Sequence, residues 1–232
     1  VAEAFCEACD ELEKAEDFSL AVHNLIKKYA TEHQRIIFNG DGYSKEWVKE
    51  AERRGLPNLK SMVDAIPAYL DPKSVAAFEK FGVFTKAELE SRVEVEYETY
   101  AKSINIEGRA MIDIASKQII PAVIRYTTML GNSLATVRNA CPEADVSVQA
   151  ELLLETSALL SDTKVALAKL TDVVDQAKEM PRGKEQAVFF HEKIIPAMAE
   201  LRSPVDALEM IVDKEMWPMP SYGDLLFEVS AL

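Results

Sequence analysis

Between Thr85 and Ile211 the apolar residues return every three to five positions, with interruptions at only a few marked points, and this period constrains the fold more than any other feature. A first stripe runs through Leu89, Val93, Tyr97, Tyr100, Ile104, Met111, Ile114 and Ile119 and extends to Ile124 and Leu130. A second carries Leu152, Leu153, Leu159, Leu160, Leu167, Leu170 and Val174, and a third Val188, His191, Ile195, Met198, Leu201, Val205, Leu208 and Ile211. A stripe of this kind gives a helix one face to bury. Thr85-Lys86-Ala87-Glu88 has the residue types of a capping box and opens the first helix. Unbroken to Arg138, that helix would reach roughly 80 Å at about 1.5 Å per residue. Gly108 and Pro121 predict bends in it. Pro142 with Asp145, and then Pro181-Arg182-Gly183, mark the two turns. Short turns between three long amphipathic helices predict an antiparallel three-helix bundle over residues 84–212.

Two phrases in this region are alike, Lys117 to Val123 (KQIIPAV) and Glu192 to Met198 (EKIIPAM). Each proline lacks the N–H that an α-helix would bond to the carbonyl four residues back, so kinks are predicted near Lys117 and Glu192. A duplicated helical hairpin and a chance likeness both remain open, because the match is too short to establish a repeat.

Before the bundle, residues 1–83 read as short helices. Ala4, Phe5, Ala8 and Leu12 share one face of a first helix. Asp17 is placed to cap a second, carrying Leu20, Leu25 and Ile26. Asn39-Gly40-Asp41-Gly42-Tyr43-Ser44 then breaks the period, and two glycines flanking an Asp predict a turn with positive φ. Ser44 caps a third helix containing Trp47 and Val48, which Gly55 ends. Pro57, Pro67 and Pro72 divide the stretch up to Gly82 into short pieces, and Asp71-Pro72 reads as the start of one more helix. Residues 213–232 form an extended tail. Pro218 and Pro220 bar a regular helix there, and Trp217, Tyr222, Leu225 and Phe227 carry too much apolar surface for a free end, so they are predicted to dock in a groove of this chain or a neighbour. The fold class is all-α.

The chain carries 39 acidic and 26 basic residues, a net charge of −13, and its lysines and arginines are interleaved with glutamates, which argues against nucleic acid as a partner. No apolar run is long enough to span a bilayer, and the first residues lack the order of a signal peptide, so a cytoplasmic location is expected. The opening on Val1, directly in helix-like sequence, reads as a fragment of something longer. Three cysteines do not make a disulfide framework. Cys6 and Cys9 form a CxxC pair without nearby histidines, and are read as small buried apolar residues of a helix rather than half a zinc site. His23, His33 and His191 stand in no metal motif, and no catalytic, cofactor-binding or metal-binding residue is assigned. The exception in kind is Asn39 to Ser44: a glycine turn leading into a helix N-terminus is a place where free N–H groups could hold an anion or edge an active site.

Three phrases together carry a resemblance: Ile36 to Ser44 (IIFNGDGYS), Gly82 to Leu89 (GVFTKAEL) and Trp217 to Phe227 (WPMPSYGDLLF). In this order and spacing, and over essentially the whole chain, the sequence resembles the C-terminal portion of type III glutamine synthetases. The resemblance implies a parent ligase of nitrogen metabolism that joins ammonia to glutamate using ATP and Mg or Mn bound in an upstream catalytic domain of the same polypeptide. It further implies homo-oligomeric ring contacts in the parent, and a noncatalytic role for this region in subunit assembly or regulation. Periodicity alone leaves an independent helical scaffold or adaptor equally open.

Overall fold

The computed structural model describes residues 1–227, and every regular element among them is helical. The chain divides into two compact units, residues 1–60 and residues from 61 onward.

The first unit contains α1 (Ala2–Leu12), α2 (Phe18–Glu32), a 3-10 turn (Gln34–Ile36) and α3 (Lys45–Arg53). Asp17 caps α2 by accepting from the Leu20 N–H at 3.0 Å, and Ser44 caps α3 by accepting from the Trp47 N–H at 3.1 Å, as the sequence predicts. The stop is equally local. Gly55 takes φ +68°, the Leu56 N–H reaches back to the Ala51 carbonyl at 2.9 Å, and the Gly55 N–H bonds Glu52 at 2.8 Å, a Schellman closure. Packing is sparse by comparison: among its helices only Leu25, on α2, is buried, and α1 buries nothing. Cys6 and Cys9 are therefore exposed, against the expectation that they fill a core.

The second unit opens with α4 (Met62–Ala65), a 3-10 turn (Ile66–Leu70) and α5 (Pro72–Lys80). Three long helical rods come next. The first is α6 (Lys86–Ile114), a π turn (Ala115–Ile119) and α7 (Ile120–Ala140). The second is α8 (Ser147–Gln176) with a 3-10 end (Ala177–Glu179), and the third is α9 (Lys184–Phe189), a second π turn (Phe190–Ile194) and α10 (Ile195–Glu209). The capping box that starts α6 is complete: the Glu88 N–H donates to Thr85 Oγ1 at 3.3 Å and the Thr85 N–H to Glu88 Oε2 at 2.7 Å. The box also holds the Glu88 carboxyl below its ordinary pKa, chiefly through the Thr85 N–H. Helix α8 packs against both α7 and α10, and α6 against α9.

The rods pass their glycine and their prolines differently. Helix α6 is unbroken through Gly108, which is buried within it. At Pro121 and Pro196 the helix changes type. Each sits two residues after a π turn, in which the Ile120 N–H bonds the Ala115 carbonyl and the Ile195 N–H bonds the Phe190 carbonyl, five residues back. Widening the turn re-pairs a ladder that Pro121 or Pro196 would otherwise leave short of a donor. The two alike phrases thus share one backbone device.

The core has three patches. One joins all three rods through Ala101, Leu167, Leu170, Val174, Phe190 and Ile194. A second gathers Val123, Tyr126, Leu130, Leu208 and Val212, with Trp217 packed on it. A third seats Val63 and Ile66 on Val93, Tyr97 and Ala187, which fixes α4 to the start of α6.

Candidate functional site

The glycine phrase lies between the Gln34–Ile36 turn and α3, and its own side chains shape it. Asp41 Oδ1 accepts from the Tyr43 N–H at 2.9 Å, and the Ser44 N–H donates to the Asp41 carbonyl at 3.2 Å. An Asx turn therefore reverses the chain. Neither Gly40 nor Gly42 has positive φ, which corrects the expectation of a left-handed turn. Gly40 serves close approach instead: a Cβ there would stand 2.7 Å from the Phe38 ring. That ring stacks on Trp47 with centroids 4.3 Å apart and planes 28° from parallel.

Around this stack the charges converge. The Arg54 guanidinium lies 5.7 Å from the Trp47 ring centroid, within cation–π reach. Its Nε donates to Glu50 at 2.6 Å, and its Nη1 to the carbonyls of Gln34 at 3.2 Å and Ile37 at 2.6 Å. Arg35 donates to the Gly55 carbonyl, and Arg53 forks onto Glu50 at 2.7 and 2.6 Å. Hydrogen bonds from Arg53 and then Arg54 hold the Glu50 carboxyl down at about 2. The sequence reading missed this knot. Its signals were the Glu50 to Arg54 spacing of a helical ion pair and Trp47 one turn before. Asn39, Gly40, Asp41, Gly42 and Tyr43 are exposed and Ser44 is half-buried. The turn brings these six together, but Arg53 and Arg54 beside it are already engaged by Glu50 and backbone carbonyls.

In the tail, Trp217 and the other predicted residues part company. The Trp217 N–H bonds the Asp213 carbonyl at 2.9 Å and its ring packs on the bundle's second core patch, while Nε1 is buried without a hydrogen-bond partner. Trp217, Met219 and Pro220 wall a cavity of about 320 Å³ with Ile114, Ile119 and Val205. Beyond it a short helix, α11 (Tyr222–Phe227), is anchored by Asp224, which accepts from the Ser221 N–H at 2.7 Å and from Lys214 Nζ at 2.9 Å. Those partners, Lys214 first, keep the Asp224 carboxyl at about 2. Tyr222, Leu225 and Phe227 are 85%, 67% and 81% exposed, so the described residues of this chain do not cover them.

His191 sits in the second π turn, half-buried, with Nδ1 3.2 Å from the Tyr100 hydroxyl. Burial pushes the Tyr100 pKa up, so the phenol keeps its proton. Among the described residues no three His, Cys, Asp or Glu side chains are grouped to hold a metal ion, so the donor set for the Mg or Mn of the implied parent is not found there.

A family model, the glutamine synthetase C-terminal domain, matches residues 21–138, just over half of the chain. The chain belongs to that family. The glutamine synthetase of Bacteroides fragilis is 34% identical over 211 residues, covering 89% of this chain and 29% of the relative. That of Butyrivibrio fibrisolvens is 31% identical over 208 residues, covering 90% and 30%. A type-3 glutamine synthetase of Dictyostelium discoideum is 32% identical over 215 residues, covering 89% and 29%. The chain thus spans about 30% of the length of these curated relatives. The family match ends within α7, and the relatives extend the likeness to α8 and α10. The resemblance to the type III C-terminal region, read from three short phrases, is borne out.

Proposed function

We propose that this chain is the noncatalytic C-terminal architecture of a glutamine synthetase, packed on the remainder of the enzyme through residues 1–60 and supporting its assembly into a homo-oligomer or its regulation. In this reading ATP, glutamate, ammonia and the divalent metal are bound by an upstream catalytic portion, the ligation happens there, and the enzyme works in the cytoplasm. The observation that carries it is the poverty of the first unit's core. Full burial of one leucine contributes about 1.5–3 kcal/mol, less than the ordering of some sixty residues costs. Phe5, Phe18, Leu20, Ile26 and Ile36 are left exposed on the same unit. Apolar surface of that extent on a helical unit marks a missing partner. An independent scaffold would need the first unit to carry a core of its own.

The test is complementation. The catalytic portion of the parent enzyme is expressed with and without this region, and both activity and assembly size are measured. Loss or shrinkage of the assembly with reduced activity is expected on removal. A fully assembled, fully active enzyme without the region would overturn the reading.

A further inference from the structure

The second unit holds a cavity of about 250 Å³ whose lining does not follow the charge of the rest of the chain. Its floor is apolar and closed: Ala101, Val174, Ala177 and Phe190 are all at least 97% buried. Its rim is cationic. Lys102 and Arg109 come from one face of α6, Lys178 from the end of α8, and Arg182 from the loop before α9, against a single lining carboxylate, Glu98. Counting Asp175, which holds Lys178 at 2.5 Å, and Glu98, which holds Lys102 at 2.8 Å, four cations meet two carboxylates. The surplus is the two arginines. Arg109 spends only Nε, on the Asn105 side-chain oxygen at 3.1 Å, and Arg182 has no bonded partner among the described residues. In a chain of net charge −13 this concentration is not the interleaved pattern seen elsewhere.

The end of a helix attracts cations, but only as about half a negative charge, which Lys178 already answers. Lys102 is answered by Glu98, and the two arginines need another cause. Guanidinium groups with free terminal N–H donors match the geometry of carboxylate and phosphate oxygens, and a cleft lined by one sign of charge concentrates ions of the other. The volume falls below the roughly 300–1,000 Å³ of drug-sized sites, which favours a compact occupant.

We propose that this cavity binds a small metabolite carrying at least two oxyanion groups, carboxylate or phosphate, with Arg109 and Arg182 holding the anionic ends and the buried floor receiving the carbon frame. Phe190 belongs both to the floor and to the second π turn, so occupancy bears on the turn that precedes Pro196.

Calorimetric titration of the chain with citrate and, separately, with pyrophosphate tests this against sodium chloride at matched ionic strength. Saturable binding of one molecule per chain is expected for at least one of them, and which one binds distinguishes a carboxylate from a phosphate ligand. The double variant Arg109→Gln with Arg182→Gln is expected to weaken it about ten-fold or more. Arg125→Gln with Arg138→Gln, exposed on α7, is expected to leave it unchanged. If the first double variant melts below the parent chain, Arg182→Gln alone, in an exposed loop, carries the comparison. No saturable binding of either probe, or equal weakening in the α7 variant, would overturn the proposal.

Discussion

Gly108 and Gly82 show why a glycine cannot be read without its backbone. Gly108 lies inside α6 without positive φ, and a Cβ there would meet Val174 and Ile194 at 3.5 and 3.6 Å, ordinary contact distances. Gly108→Ala should therefore raise stability by about 0.4–1 kcal/mol, because alanine fits and the unfolded chain loses freedom. Gly82 has φ +63° and closes α5, where the Val83 N–H bonds the Phe78 carbonyl at 2.9 Å. Gly82→Ala should cost about 1–2 kcal/mol for the left-handed backbone. Urea unfolding of the two variants checks both signs within one unit. Glu50 gives a third residue-scale prediction. Its pKa falls from 4.5 to about 2 in the folded chain, so its stabilising contribution is complete above 4.5 and is lost as pH falls toward 2. In a Trp217→Phe background, Trp47 fluorescence should change across that window, and Glu50→Gln should flatten the change. An unaltered titration in the Gln variant would count against the knot.

At the scale of elements, the buried line of the third rod follows the apolar stripe only in part, at Leu201 and Leu208. Val188, Ile195, Met198 and Val205 flank that line, and the other buried positions are Ala187, Phe190, Ile194, Ala197 and Pro204. Alanines are as deeply buried there as phenylalanine, isoleucine and leucine, so size and depth come apart. Thr156 and Thr163 do the same on α8: each is fully buried because its hydroxyl bonds the carbonyl four residues back, at 2.7 and 2.8 Å. Ala197→Leu should thus destabilise the unit by about 1–3 kcal/mol through overpacking, while Met198→Leu should cost less than about 1.5 kcal/mol. The reverse order in thermal melts would return the buried face to the apolar stripe. These cases also mark what the sequence could reveal. Period, caps and stops are local, so Asp17, Ser44, Thr85 and Gly55 announced their elements. Rotational phase, the π turns and the Arg54 knot depend on partners distant in sequence, which a single periodicity cannot supply.

For the whole molecule, the contrast between the units has a consequence that can be measured on this chain alone. The second unit buries Leu89, Leu170, Ile194, Leu201 and Leu208 to 1% exposure or less. The helices of the first bury only Leu25. Local opening free energy depends on buried contacts, so amides of α2 and α3 should exchange with solvent well before those of α6, α8 and α10. Hydrogen exchange read by mass spectrometry would resolve this peptide by peptide. On the proposed reading, the same amides, measured with this region joined to a glutamine synthetase catalytic portion, should slow markedly once Phe5, Phe18 and Ile26 are covered, while α8 should change little. Equal protection of both units in the chain alone would mean that residues 1–60 hold themselves together, and the reason for assigning them a partner would fall away.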